Sequence, residues 1–295
     1  TVTFDSSENR VVIAYNVGNG RAIVGTVSGT SISFGSSAQF NASAATFTSA
    51  SFDTASNKVV ISYKDDGNSN YGTSIVGTVS GTSISFGTKV VFESAATRYT
   101  STVFDSANNK IVVAYADQGN SFYGTAVVGT VSGTSISFGT PVVFEAASVF
   151  SLSATYDVAA EKVTVAYQDD GNGQDGTLIS GTVSGASISF GTPTVFETGA
   201  TINISSTFDS SSNKVVVAYS DNANSVYGTS VVHQNAYSST NLTAENYIGI
   251  STGGTYASGS TATVKIIGNT SNEQTSLTAG QAYYVQTDGT IGTTA

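Results

Sequence analysis

Two hydrophobic patterns alternate along this chain. In one, apolar residues follow one another directly, as in Lys110-Ile-Val-Val-Ala-Tyr115. A strand apolar at successive positions is one covered on both faces, as between two layers of sheet. In the other, apolar and hydroxyl residues alternate, as in Ser135-Ile-Ser-Phe138. That predicts a strand with one open face, near a sheet edge. Turn-forming residues punctuate them: Asp105-Ser-Ala-Asn-Asn109, Asp117-Gln-Gly-Asn120 and Ser132-Gly133. In order, the stretch predicts four strands: a near Thr100 to Phe104, b at Lys110 to Tyr115, c from about Tyr123 to Val131, and d from Ser135. A bulge at Gly139-Thr-Pro141 interrupts d before Val142-Val-Phe144.

The same four-strand text recurs. The phrase Gly-Thr-Val-Ser-Gly-Thr-Ser-Ile-Ser-Phe-Gly begins at Gly25, Gly77 and Gly129, and again at Gly181 with Ala186 in place of Thr, in steps of 52. An aromatic-Asp pair marks each strand a: Phe4-Asp5, Phe52-Asp53, Phe104-Asp105, Tyr156-Asp157 and Phe208-Asp209. The first interval is 48 rather than 52 because the loop after Tyr15 is four residues shorter, which marks that loop as a surface segment. A fixed period of this size means stacked or radially arranged copies of one supersecondary unit. The predicted fold is all-β: a five-bladed β-propeller over residues 1–233, with copies at about 1–44, 45–96, 97–148, 149–200 and 201–233. A four-stranded unit with a doubly covered inner strand is what a blade requires; a β-solenoid is the main rival. Lys58, Lys110, Lys162 and Lys214 head the apolar b strands and keep them soluble during folding. The fifth copy keeps strands a to c and ends where His233 stands in place of Gly. Three completions are open: the tail supplies the missing strand, the module stays three-stranded, or upstream copies have been removed. Residues 234–295 predict a small β module for docking or oligomerisation, with strands at Tyr247–Ile250, Ala262–Ile267 and Ala282–Gln286 and a hairpin turn at Asp288-Gly289.

Composition narrows the function. Of 295 residues, 39% are apolar and 10% charged, with 31 Gly, 2 Pro and no Cys, which suits short strands and tight turns held by packing alone. A net charge of −10 repels nucleic acid and anionic membranes, so neither is expected as a partner. The chain shows no apolar run long enough to span a bilayer. It shows no signal peptide and no initial Met, which reads as a processed or trimmed product.

The repeat text, with its Asn-Lys-Val-Val-Val-Ala-Tyr219 and Gly-Thr-Val-Ser-Gly-Thr-Ser-Ile-Ser-Phe-Gly blocks, resembles the repeats of tail-fibre-like proteins of marine bacteriophages. The tail is similar too, through Ser239-Thr-Asn-Leu-Thr-Ala-Glu-Asn-Tyr-Ile-Gly-Ile250 and Leu277-Thr-Ala-Gly-Gln-Ala-Tyr-Tyr-Val-Gln-Thr-Asp-Gly-Thr290. The resemblance implies a non-enzymatic virion-surface, extracellular protein for host attachment. It would recognise a host cell-surface glycan or protein, contact other virion proteins, and form a homo-oligomer.

Candidate chemistry lies where the repeats disagree. Just before strand a, aligned positions read Thr46-Phe47, Arg98-Tyr99, Phe150-Ser151 and Ile202-Asn203. Aromatic rings with a guanidinium and amides suit sugar or protein recognition, so Phe47, Arg98, Tyr99, Phe150 and Asn203 are the candidate ligand-binding residues; loop drift with inter-blade packing explains the variation equally well. The b–c loops carry short oxygen-bearing side chains around Gly, and Asp169, Asp170 and Asp175 are the candidate calcium ligands; an Asp/Asn-Gly turn explains the same residues. No other cofactor is expected. A propeller glycosidase would need two carboxylates. The recurring Asp5, Asp53, Asp105, Asp157 and Asp209 read as turn residues, and Glu8, Glu161 and Asp175 are scattered among loops. His233 is the only His and reads as structural. A further alternative is a structural subunit of a filament or capsid lattice whose incomplete fifth blade accepts a neighbour's strand.

Overall fold

The computed structural model describes residues 1–235 and four short strand segments at 250–252, 263–265, 284–285 and 291–292. The chain divides into two compact units, Thr1–Tyr237 and Ser238–Ala295.

The first unit is all-β and is built from five antiparallel modules. Module 1 comprises β1 (Val2–Asp5), β2 (Arg10–Asn16), β3 (Gly20–Ser28), β4 (Ser31–Phe34) and β5 (Ala38–Asn41). Module 2 has β6 (Ala45–Asp53), β7 (Lys58–Asp65), β8 (Tyr71–Ser80), β9 (Ser83–Phe86) and the first part of β10 (Val90–Asp105). Module 3 takes the rest of β10, β11 (Lys110–Asp117), β12 (Tyr123–Ser132), β13 (Ser135–Phe138) and the start of β14 (Val142–Asp157). Module 4 takes the rest of β14, β15 (Lys162–Asp169), β16 (Asp175–Ser184), β17 (Ser187–Phe190) and β18 (Thr194–Glu197). Module 5 has three strands: β19 (Thr201–Asp209), β20 (Lys214–Asp221) and β21 (Tyr227–His233).

Strand d is split as its sequence suggests. In module 3, β13 and the start of β14 both pair with β12, on either side of Gly139-Thr-Pro141. The passage between the middle modules differs from the expected loop crossing. From module 2 to 3, and from 3 to 4, the outer strand runs on without a break into the next inner strand, so β10 and β14 each span 16 residues. Bulges at Glu93/Ala96 and Arg98/Ser101 let β10 bend from one sheet into the next.

The inner strands of modules 2 to 5 carry serines, and their hydroxyls tie neighbouring modules together. Ser49 Oγ accepts from the Thr102 amide (2.9 Å), Ser101 Oγ from Ala154 (2.9 Å), Ser151 Oγ from Ile204 (3.0 Å) and Ser153 Oγ from Ser206 (2.9 Å). At the other end of these strands Phe4, Phe52, Phe104 and Tyr156 line one cavity of about 370 Å³, so the aromatic-Asp anchors of modules 1 to 4 converge. The anchor aspartates close the a–b turns. Asp5 Oδ1, for example, accepts from the amides of Ser7 (2.9 Å) and Glu8 (3.1 Å), and Asp53, Asp105 and Asp157 repeat the arrangement.

The core lies between modules, as the doubly apolar b strands require. Val12, Ala14, Ala22 and Val24 of module 1 pack on Val59, Ile61, Tyr63, Ile75, Val79 and Ile84 of module 2. Val60 and Val76 meet Ile111, Val113 and Tyr115 in the next junction, and Val112, Ala114 and Val128 meet Val163, Val165 and Tyr167 in the one after. Glycines keep two close contacts free, one within module 2 between β8 and β9 and one between the end of β9 and module 3. A Cβ on Gly77 would stand 2.8 Å from Ile84 Cδ1, and one on Gly87 would stand 1.8 Å from the Thr134 carbonyl oxygen.

The fourth junction is different. Where modules 1, 2 and 3 present Val12/Val24, Val60/Val76 and Val112/Val128 to their successor, module 4 presents Thr164 and Ser180. Asn235, just past β21, is buried against them. Its Nδ2 donates to Thr164 Oγ1 and Asp157 Oδ2 at 2.9 Å, and its Oδ1 accepts from Ser180 Oγ. A polar pair in an otherwise apolar interface is tolerable only when its hydrogen bonds are met, and Asn235 meets them.

In the second unit, β22 (Ile250–Thr252) pairs antiparallel with β23 (Thr263–Lys265), and β24 (Tyr284–Val285) with β25 (Ile291–Gly292). The expected strand start at Tyr247 and the turn at Asp288-Gly289 lie outside the described residues.

Candidate functional site

The disagreeing positions ahead of strand a sit on a repeated backbone irregularity. The inner strands of modules 2 to 5 slip register there: between Thr46 and Ser49, Arg98 and Ser101, Phe150 and Ser153, and Ile202 and Ser205. The first bulged residue is left-handed in each of these: Phe47 at φ 50°, Tyr99 at 52°, Ser151 at 48° and Asn203 at 54°. An aromatic residue in this region is uncommon and costs energy, so the surrounding pairing must hold it there. A bulge of this kind re-aims a side chain out of the strand's regular alternation.

The two re-aimed rings, Phe47 and Tyr99, meet each other and also Phe150, which stands just before the bulged Ser151. Phe47 and Tyr99 have centroids 5.1 Å apart, and Tyr99 and Phe150 lie 5.9 Å apart, edge to face. Phe150 then stacks on Phe122, 6.3 Å away, from the loop between β11 and β12. Cations stand at both ends: Lys64 Nζ lies 5.6 Å from the Phe47 ring and the Arg98 guanidinium 5.3 Å from the Phe122 ring. These separations fall in the range of favourable aromatic and cation–π contacts. The result is an arc of four rings across modules 2 to 4, half-buried at Tyr99, Phe150 and Phe122 and exposed at Phe47.

Four of the five candidate residues therefore come together. The fifth, Asn203, is exposed one module further on, where its Nδ2 donates to Ser220 Oγ (3.4 Å). Sequence reasoning missed Phe122 and Lys64. The signal for Phe122 was present, because the aligned loop positions read Asn70, Phe122, Gln174 and Val226.

The calcium candidates are engaged by their own loop. Asp169 caps the short 3-10 turn Asp170–Asn172 by accepting from the Gly171 amide (3.0 Å). Asp170 accepts from Gln174 Nε2 (3.2 Å), and Asp175 from the Gly199 amide (2.6 Å) and Asn172 Nδ2 (3.1 Å). Among the described residues no three Asp, Glu or His side chains are grouped to hold a metal ion. Glu161 and Asp170 stand at opposite ends of the eight-residue β15, roughly 25–30 Å apart at strand rise. A glycosidase pair needs about 5–10 Å. His233 Nε2 faces Asn235 Oδ1 at 3.2 Å and belongs to the polar fourth junction.

Buried tyrosines pair with half-buried glutamates of the preceding module. Tyr115 donates to Glu93 (3.0 Å), Tyr167 to Glu145 (2.9 Å) and Tyr219 to Glu197 (2.8 Å). Burial pushes Glu93 and Glu145 above the usual carboxylate range despite these bonds. At the corresponding place module 1 has Asn41. There burial alone would raise Asp65, but hydrogen bonds from Lys89 (2.8 Å) and Asn41 (2.9 Å) hold it below its ordinary value.

No protein-family profile matches the sequence, and no curated protein does. Solved structures do share the fold. AofleA from Arthrobotrys oligospora superposes with a TM-score of 0.53 at 12% identity, over 80% of this chain and 69% of that one. A protein of unknown function from Dyadobacter fermentans DSM 18053 superposes with a TM-score of 0.56 at 10% identity, over 79% and 78%. The SapL1 lectin, solved with alpha methyl fucoside, reaches 0.47 at 14% identity, a likeness too distant to bear on this chain.

Proposed function

We propose that the protein is a non-enzymatic attachment protein that binds a glycan on the aromatic arc, and that its five modules wind about a common axis as propeller blades. The observation that carries this reading is the arc itself: four rings from three modules, three of them (Phe47, Tyr99 and Phe122) in strained left-handed backbone, flanked by Arg98 and Lys64. Aromatic faces stack on the apolar face of a sugar ring, while the flanking cations donate to its hydroxyl or acidic groups. The convergence of Phe4, Phe52, Phe104 and Tyr156 on one cavity supports the radial arrangement over a straight solenoid. A virion-surface location, as in tail-fibre-like proteins, rests on the repeat text alone. The five anchor aspartates bind their own turns, and Glu93, Glu145 and Glu197 are engaged by tyrosines, which favours binding over hydrolysis.

The test is a glycan array with the 295-residue chain, followed by titration of the best ligand. The combined Arg98→Ala and Tyr99→Ala variant should weaken binding at least tenfold, while Asn203→Ala leaves it within twofold. Hydrolysis of the bound glycan, or binding indifferent to Arg98 and Tyr99, would overturn the reading.

A further inference from the structure

The two end modules carry unsatisfied halves of the interface that holds the array together. Consider first the face that each module turns to its predecessor. In module 2 it is Val59, Ile61, Tyr63, Ile75, Val79 and Ile84, all buried. In module 1 the aligned residues are Val11, Ile13, Tyr15, Ile23, Val27 and Ile32, identical at all six positions. Here Val27 is 58% exposed and Ile32 43%, against 7% and 6% for Val79 and Ile84. Phe34 is likewise 48% exposed.

Now consider the face turned to the successor. In module 1 it is Val12, Ala14 and Val24, all at 0% exposure beneath module 2. Module 5 repeats these three as Val216, Ala218 and Val232, with Ser230 in place of the fourth face residue, Ala22. There Val232 is 59% exposed and Ala218 is open to solvent. Among the described residues no strand pairing joins module 5 to module 1. Contiguous exposed apolar faces of this kind mark interaction surfaces.

We infer that the chain associates head to tail with a second copy of itself, module 5 of one copy packing on module 1 of the next. The new junction would repeat the valines and alanine of the one between modules 1 and 2, with Ser230 in place of Ala22 and, among the described residues, no counterpart of Phe40. It continues an apolar interface that the chain already uses three times internally, between modules 1 and 2, 2 and 3, and 3 and 4. A contact between two different faces propagates into a ring or a filament rather than stopping at a symmetric dimer. This inference is independent of the glycan reading.

Sedimentation equilibrium of the full chain over a wide concentration range tests it. The expected result is mass rising with concentration in multiples of the monomer. The leading-face variant (Val27→Lys with Ile32→Lys) and the trailing-face variant (Ala218→Lys with Val232→Lys) should each be folded and monomeric. Mixed, the two should form a 1:1 dimer that grows no further, because one intact face of each kind is used and the other two are blocked. Val17→Lys, in the exposed β2–β3 loop, should associate like the unchanged chain. A chain that stays monomeric while Val27 and Val232 are protected in hydrogen exchange would overturn the inference in favour of closure within one molecule. So would a chain monomeric with both faces unprotected, or association insensitive to the four substitutions.

Discussion

At the scale of single residues, five a–b turns share one backbone but not one sequence. Asn9, Asn57, Asn109 and Asn213 occupy the left-handed position, and Glu161 occupies it in module 4 at φ 54°. Asn tolerates that region because its short side chain bonds locally, and Glu lacks this advantage. Glu161→Asn is therefore expected to raise stability by about 0.5–1 kcal/mol, read by urea denaturation. Titratable groups give a second expectation. Glu93, Glu145 and Asp169 are raised, chiefly by burial, so the folded chain takes up their protons before the unfolded chain does. Stability from these groups is full below their unfolded values and is lost as pH rises through their folded values. Asp65 is lowered and acts in the opposite sense, losing its contribution as pH falls below the ordinary 3.8. Thermal melts should thus show higher stability in mild acid than at neutral pH, and Glu93→Gln with Glu145→Gln should flatten that slope. Burial and Glu197 push Tyr219 up to about 12 from 10.0, so stability should fall as pH rises through that interval.

At the scale of elements, the same glycine has different duties in different copies. Gly87 and Gly191 are aligned after the Ser-Ile-Ser-Phe strand. A Cβ at Gly87 meets the Thr134 carbonyl at 1.8 Å, while the nearest atom at Gly191 is the Ser180 carbonyl oxygen at 3.7 Å. Backbone cannot yield as a side chain can, so Gly87→Ala should cost about 3 kcal/mol or more and Gly191→Ala less than about 0.5. The contrast arises because the module 3 hairpin docks at Gly87 and nothing described docks at Gly191. Asn235→Ala should cost about 1–3 kcal/mol by leaving Asp157 Oδ2 without its partner and Thr164 and Ser180 with only their bond to each other. Adding Thr164→Val and Ser180→Val should recover part of that loss by restoring the apolar pair of the other modules. Denaturant midpoints of the four variants would measure both effects.

At the scale of the whole molecule, the fold was largely legible because repetition multiplies weak signals. Strand b announced its double burial through unbroken apolar runs, and it is the strand sandwiched between neighbours. The aspartates after each aromatic anchor were read as turn residues, and their carboxylates do bind their own turns. The site was legible in part. Copies that disagree at Phe47, Arg98, Tyr99 and Phe150 marked the place, but no spacing rule reveals that a bulge tips residues about 52 apart into contact. Phe122 joins them from a different loop, and Lys64 from the end of a strand, through packing across modules. The polar fourth junction was also hidden: Thr164 and Ser180 look like ordinary substitutions until Asn235 is seen between them.

The sequence by itself determined the all-β modules, their period, their turns and which side chains could be buried, because these depend on local periodicity and on glycine, asparagine and aspartate chemistry. Only the tertiary structure decided which buried faces find a partner. Identical residues are covered at Val79 and bare at Val27, since burial belongs to the neighbour as much as to the residue. It likewise decided that four rings from three copies form one surface, because bulge geometry and the approach of adjacent modules lie outside any local pattern.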